Sequence, residues 1–469
     1  MPSYCKEENF ILKKYNEKIN LEEKIREYLK ESPIYVSLKD CLYLSIDNNF
    51  AIRIMEKNYE AKDYNFKNSL SKFLPEIGLT GYTNLIRGQV LVGGILLDEI
   101  REYALFGGLY ASHNLTDGGR DIFRAKSSEY LKKSYNQELK NTKEETLREV
   151  ARKYYELLEA KLSIEIYIRN YLEREEQLRL LNNLKRAGLG TKFDVIRGEN
   201  ELADAKQSLL TSINNFRLKQ ATLANSIGIS VEAPLYPIEE EIELMQLINE
   251  EKEIEELYES AIVNRKDIKA LELEIKSDKF KRKMHYSDFI PKIRLDYKYS
   301  YQGTVNSGLG HNSQFIINAD IPIGENIGVG TWAKLKEEAS LIRAKELQLI
   351  SNKRNIKNEI INHLVSSKFS KERAKIGAQR IEYATETSRL AELRLNAGEG
   401  LLIDVLQTQT EKTRARISYL SMVVEYNIKQ IELLYDIGQI SIENLLTYPC
   451  NSTIPSEPNI GLFSFTYKG

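Results

Sequence analysis

Leu184-Lys185-Arg186-Ala187-Gly188-Leu189-Gly190-Thr191-Lys192-Phe193-Asp194-Val195 decides the reading of this chain, because it returns as Arg394-Leu395-Asn396-Ala397-Gly398-Glu399-Gly400-Leu401-Leu402-Ile403-Asp404-Val405. The Ala-Gly pair and the Asp-Val pair stand 210 positions apart in the two copies. The same interval carries Ile227-Gly228 onto Ile437-Gly438. One interval held over about forty residues indicates an internal duplication. Each copy lies between long helix-like runs and reads as the tip of a helical hairpin. Gly188 and Gly398 supply the positive-φ residue that ends one helix. Asp194 and Asp404 fall in the first turn of the next, where a carboxylate suits the positive end of the helix dipole. The alternative is a pair of ordinary turns in a helical bundle.

Upstream of the first tip, Asp121 to about Arg186 contains neither Pro nor Gly. Roughly 65 residues at ~1.5 Å each make a helix ~100 Å long. Leu147, Val150, Tyr154, Leu157, Ile164, Ile168 and Tyr171 recur at heptad spacing, and Ala151, Tyr155, Leu158 and Leu162 form a second stripe beside them. Two stripes imply neighbours on both sides. The return helix runs from Phe193 to about Ile227. In the second half a long helix from Thr331 to Ala397, interrupted by Gly377, leads to the second tip, and a last helix runs from Leu401 to Ile437.

Further out, each half opens with a helix and two strands. Leu38 to Lys72 has a helical pattern that Pro75 stops; Ile262 to Tyr286 has another, with Pro291 placed 216 residues after Pro75. Asn264-Arg265 stands at that interval from Asn48-Asn49. Ile77, Leu79, Gly81, Thr83 and Leu85 then alternate with Gly78, Thr80, Tyr82 and Asn84, which predicts a strand. A Gly-rich connection from Arg87 to Glu99 leads to a second strand over Tyr103–Leu115. In the second half Ile293, Leu295, Tyr297, Tyr299 and Tyr301 alternate with Arg294, Asp296, Lys298, Ser300 and Gln302. A fourth strand sets Phe315, Ile317, Ala319 and Ile321 against Ile316, Asn318, Asp320 and Pro322. The fold class is therefore α+β, mostly α, and internally duplicated. The expected divisions are an N-terminal extension (1–36), a first repeat (37–230), an acidic linker (231–257), a second repeat (258–440) and a tail (441–469). Glu239 to Glu256 is expected to be a solvated helix face.

Lys and Arg number 67 against 68 Asp and Glu, a balance that argues against a general nucleic-acid binder. No apolar run approaches the ~18 residues of a spanning helix, so any membrane crossing must be a β-barrel. Four strands cannot close one, since small closed barrels need about eight. Copies must therefore share a barrel, or the sheet packs on helices away from lipid. An apolar, aromatic face carrying Tyr297, Tyr299, Tyr301 and Phe315 suits lipid, with Tyr103 near an interface; the opposite face, with Arg294, Asp296 and Lys298, suits a wet lumen.

Cys5, Cys41 and Cys450 form no CxxC pair, so neither a disulfide framework nor a metal site is expected. Met1 to Lys30 lacks a signal-peptide core, and Cys5 follows Pro-Ser-Tyr instead of a lipidation box, which taken alone weighs against export. His113, His285, His311 and His363 are scattered, with no HExxH, GxSxG or phosphate loop beside them. No catalytic residue or cofactor is expected. Asn451-Ser452-Thr453 fits a glycosylation sequon, a match common by chance.

Taken together, the Pro-Glu-Ile (75–77) and Pro-Lys-Ile (291–293) strand openings, the turn Leu115-Thr116-Asp117-Gly118-Gly119-Arg120, both tips and both Ile-Gly ends resemble the TolC-like outer membrane efflux proteins. The resemblance covers roughly residues 38–440. It implies a homotrimer with a shared twelve-stranded transmembrane β-barrel and a periplasmic α-barrel built from the helical hairpins. The function implied is the exit duct of a tripartite efflux pump or type I secretion system, in contact with outer-membrane lipid, a periplasmic adaptor (membrane fusion) protein and an inner-membrane pump. On this sequence the adaptor-facing tips are Arg186, Gly188, Leu189, Val195, Ala397, Gly398 and Val405. The aperture residues are Asp194, Asp404 and Gln407. Two departures stand out: Gln407 replaces an acidic residue that some members have, and Gly400 stands where some carry arginine, so an Arg–carboxylate latch is not expected. The rival reading is a coiled-coil scaffold without channel activity.

Overall fold

The structure is a computed structural model describing residues 33–92, 95–188, 190–304, 308–324 and 326–446. The chain divides into two compact units. One comprises residues up to 53, 141–265 and from 355 onward; the other comprises 54–140 and 266–354.

The first unit is a helical assembly. It contains β1 (Ile34–Val36), α1 (Leu38–Asn48), most of α3 (Arg120–Arg186), α4 (Lys192–Ile227), β4 (Leu235–Pro237), α5 (Ile254–Asn264), the later part of α7 (Val329–Asn396), α8 (Leu402–Asp436) and α9 (Ile442–Leu446). The paired stripes of α3 are buried: Val150, Tyr154 and Leu157 in one, Ala151, Leu158 and Leu162 in the other. Phe216, Leu223 and Ile227 of α4 and Val423, Val424 and Ile431 of α8 complete the core. Side chains of this kind, closed to water, each contribute about 1.5–3 kcal/mol of driving force.

The second unit holds the sheet, with α2 (Phe50–Ser71) and α6 (Lys266–Met284) beside the opening of α3 and the start of α7. Strands β2 (Glu76–Val92), β3 (Ile95–Asp117), β5 (Lys292–Thr304) and β6 (Gly308–Asp320) pair antiparallel in the order β2-β3-β5-β6. The two halves of the duplication thus meet at β3–β5. Register puts Ala111, Tyr297 and Phe315 in one cross-strand row and Leu109, Tyr299 and Ser313 two rows on, on the same face. Rows alternate between faces, so Tyr110, Lys298 and Gln314 lie on the other side. The polar and apolar alternation read from the sequence is the alternation of this sheet.

Several expectations need correction. The expected connection over 87–99 is strand on both sides: residues 87–92 belong to β2 and 95–99 to β3, with a bulge between Gly88 and Val90. The side chain of Tyr103 lies outside the described residues, as do residues 1–32, Cys5, Cys450 and the sequon at 451–453. The helix expected over 38–72 is two helices, broken at Asn49, whose ψ of 128° is extended. Arg265 breaks the second-half helix in the same way, with ψ 130°. The cause lies far along the chain. Gly228, at φ +85°, lies so close to Asn48 that a Cβ would collide with its carbonyl, and Gly438 lies on Asn264 and Arg265. Local helical periodicity carries no trace of such an approach.

The end of the N-terminal extension joins the fold: Ile34–Val36 pairs in parallel with Leu235–Pro237. The acidic stretch is not a helix face. Helix starts only at Ile254, and the preceding strap is fixed by side chains of α8. Gln430 Oε1 accepts the amides of Leu247 (3.1 Å) and Ile248 (3.0 Å), and Asn427 Oδ1 accepts that of Met245 (2.8 Å). Glu250 is buried against Ser367 (2.6 Å) and Gln430 (2.9 Å).

Candidate functional site

The two hairpin tips lie within the first unit. Helix α3 ends at Arg186, the Gly188 amide bonds to the Lys185 carbonyl at 3.1 Å, and Gly188 turns the chain at φ +75°. Thr191 then starts α4. Its hydroxyl accepts the Asp194 amide (3.2 Å), while the Asp194 carboxylate accepts the Thr191 amide (3.1 Å) and hydroxyl (2.6 Å). This reciprocal arrangement satisfies two amides that a helix start leaves unpaired. Bonds from the Thr191 side chain and backbone hold the Asp194 carboxyl below the usual carboxylate range.

The second tip has the same turn and a different cap. The amides of Glu399 and Gly400 both reach the Arg394 carbonyl at 3.0 Å, with Gly398 at φ +79°. Leu401 occupies the N-cap and offers no side-chain bond. Among the described residues, Asp404 therefore has no counterpart to Thr191. It lies exposed, with Gln407 one turn on, at the head of a polar stripe continued by Glu411 and Arg414.

Arg186, Gly188, Ala397 and Gly398 are exposed at the tips; Leu189 lies outside the described residues. Val195 and Val405 are buried in their hairpins. They pack inside the tips, away from solvent, unlike the exposed Arg186, Gly188, Ala397 and Gly398. The exposed apolar side chains are Phe193 and Ile196 on the first tip and Leu401 on the second. Sequence reasoning missed them; the available signal was that they fall off the stripe shared by Val195 and Ala205.

Between one and four turns from the tips, a polar cluster joins the hairpins. Arg174, buried on α3, donates to the Leu406 carbonyl (3.1 Å) and Thr410 hydroxyl (2.8 Å) of α8, and lies 3.7 Å from Glu201 of α4. Gln177 bonds Gln409, which reaches Glu392 of α7 at 2.9 Å. Lys412 pairs with Glu173 at 3.1 Å. All four long helices are thus connected at one level. No cluster of metal-ligating side chains occurs among the described residues. No described helix is long and apolar enough to cross a membrane, which says nothing of a β-barrel.

The outer membrane efflux protein profile matches residues 41–229 and 257–438, one span per repeat. The chain belongs to that family. Outer membrane efflux proteins among solved structures share its fold. A membrane protein from Pseudomonas aeruginosa aligns over 86% of this chain and 93% of its own at 18% identity, with a TM-score of 0.77. The CmeC outer membrane channel of Campylobacter jejuni aligns over 86% and 85% at 14% identity, TM-score 0.73. The open-state MtrE outer membrane channel of Neisseria gonorrhoeae aligns over 86% and 89% at 19% identity, TM-score 0.70. No curated protein sequence matches the chain significantly. As an outer membrane efflux protein, the chain is an outer-membrane component of an exit duct.

Proposed function

We propose that three copies of this chain close one twelve-stranded barrel in the outer membrane, and that the helical hairpins form the periplasmic conduit through which cargo reaches it. One observation carries the reading: the four-stranded sheet has two unpaired edges, on β2 and β6. Open edges of this length are sites for pairing with another chain, and closure into a barrel removes them. The face bearing Tyr297, Tyr299, Tyr301 and Phe315 is exposed and faces lipid; the face with Arg294 and Lys298 faces the lumen.

The helices support the same reading. Phe369, Ile376, Tyr383 and Leu390 are exposed on α7 at intervals of seven, the spacing of a helix–helix seam. A shallow groove lined by Ala203, Gln207, Leu210 and Asn214 runs along α4. The α7 seam of one copy occupies the α4 groove of the next. The exposed Asp404 and Gln407 line the aperture, and Phe193, Ile196 and Leu401 with the turns at Gly188 and Gly398 meet an adaptor protein coupled to an inner-membrane pump. Asp194 contributes to the aperture chiefly by fixing the tip.

The test is the mass and conductance of the detergent-purified protein. Three chains per particle and discrete ionic channels in planar bilayers are expected. A monodisperse single chain, silent in bilayers, overturns the reading.

A further inference from the structure

The apolar row of β6 does not stop where the strand stops. Phe315, Ile317 and Ala319 alternate along the outer face, and the alternation continues past Asp320 with Ile321 and Ile323, which are 76% and 74% exposed. The chain then turns through Gly324 and Gly328. The Phe289 ring lies against the backbone of both, filling the inner side of the turn. Ile327 is left on the outer side at 90% exposure, and its φ is +60°. A β-branched residue is an outlier in that region, where Asn, Asp or Gly is usual. Val329 and Trp332, the only tryptophan of the chain, follow and are also exposed. Lys336 lies over the Trp332 ring, 5.7 Å from its centre. This is a contiguous apolar surface with nothing covering it among the described residues, held outward by a strained backbone.

We infer that Ile321, Ile323, Ile327, Val329 and Trp332 form a foot that enters the phospholipid headgroup and acyl boundary at the helix-proximal edge of the barrel. The inference rests on the outer-membrane reading of the sheet. The occupant is lipid because the foot extends the same row of side chains that faces lipid along β6. Its chemistry also grades as an interface does: aliphatic side chains first, then a tryptophan, then lysine. Tryptophan prefers that depth, and a lysine stem lies along apolar surface while its ammonium reaches phosphate. Strain at Ile327 is retained because a polar residue there, though easier on the backbone, would not partition into the boundary.

Trp332 reports its own depth. The full chain is reconstituted into phosphatidylethanolamine–phosphatidylglycerol vesicles, with and without bromines at acyl carbons 6 and 7, and insertion is confirmed separately by conductance. At least twofold quenching by the brominated lipid is expected, with acrylamide quenching reduced at least threefold relative to the unfolded chain. Ile327→Asp, compatible with a positive φ, should keep conductance and lose most of the bromine quenching. Conducting channels whose Trp332 is open to acrylamide and blind to bromine overturn the foot alone. Shielding from both quenchers assigns the surface to a neighbouring copy and also overturns it. Failure to insert or conduct overturns the foot together with the reading beneath it.

Discussion

The side-chain amide of Asn49 donates to the carbonyl of Ser226 at 2.7 Å, across 177 residues of sequence. The same side chain caps α2, its oxygen accepting the Ala51 amide at 2.8 Å. Asn49 therefore locks the helix break against the end of the first hairpin, where Gly228 makes its close approach. Asn49→Ala removes both functions and should cost about 1–3 kcal/mol. Asn49→Ser keeps a cap oxygen and removes only the long-range donor, and should lose less. Urea midpoints of the two variants check the order.

Asp194 and Asp404 occupy equivalent positions and should behave differently. Asp194→Ala should lower stability by about 1 kcal/mol through the lost cap and change ion selectivity little. Asp404→Ala should leave stability unchanged and reduce cation preference, because in the proposed trimer three carboxylates around one aperture would attract cations. Reversal potentials in asymmetric salt, read beside unfolding midpoints, separate the two.

The lowered carboxyl of Asp194 also sets a pH dependence. Its folded pKa lies below the ordinary value of 3.8, so its contribution is fully present above 3.8 and is lost as pH falls through the folded value. Local hydrogen exchange at residues 190–198 should rise below pH ~3.8 in wild type more than in Asp194→Ala.

The seam on α7 makes a prediction about assembly. In the proposed trimer Ile376→Asp would place a charge between copies and should convert trimers to monomers, whereas an equally exposed polar-face change, Glu411→Gln, should not. Light scattering in detergent distinguishes them. An Ile376→Asp trimer of wild-type stability would remove the seam.

Gln430 holds the acidic strap with four hydrogen bonds, from Leu247 and Ile248 and to Glu250 and Ser367. Gln430→Ala strands one buried and one part-buried amide and should cost about 2–4 kcal/mol. A glutamate-specific protease should then cut within 239–253 several-fold faster than in wild type.

The duplication, the tips, the long helices and the two faces of the sheet were legible because each repeats a local period: 210 residues for the tips, seven for α3, two for the strands. What was not legible depends on distant backbone. The breaks at Asn49 and Arg265 exist because Gly228 and Gly438 arrive there. The strap looks like a charged helix until Asn427 and Gln430 claim its amides. At the tips, the resemblance gave Val195 and Val405 as part of the adaptor-facing end; hairpin closure buries both and exposes Phe193 and Leu401. The Thr191–Leu401 difference, which separates a capped carboxylate from an uncapped one, is present in the letters themselves.

The bare borders of β2 and β6 bear on how the protein is made. On the proposed shared barrel a lone chain has no way to finish its own wall, so maturation would be a meeting of several newly made chains before any reaches its resting form. Yield should therefore climb more steeply than linearly with synthesis rate, and a variant damaged in one border should poison its intact siblings when the two are made in the same cell.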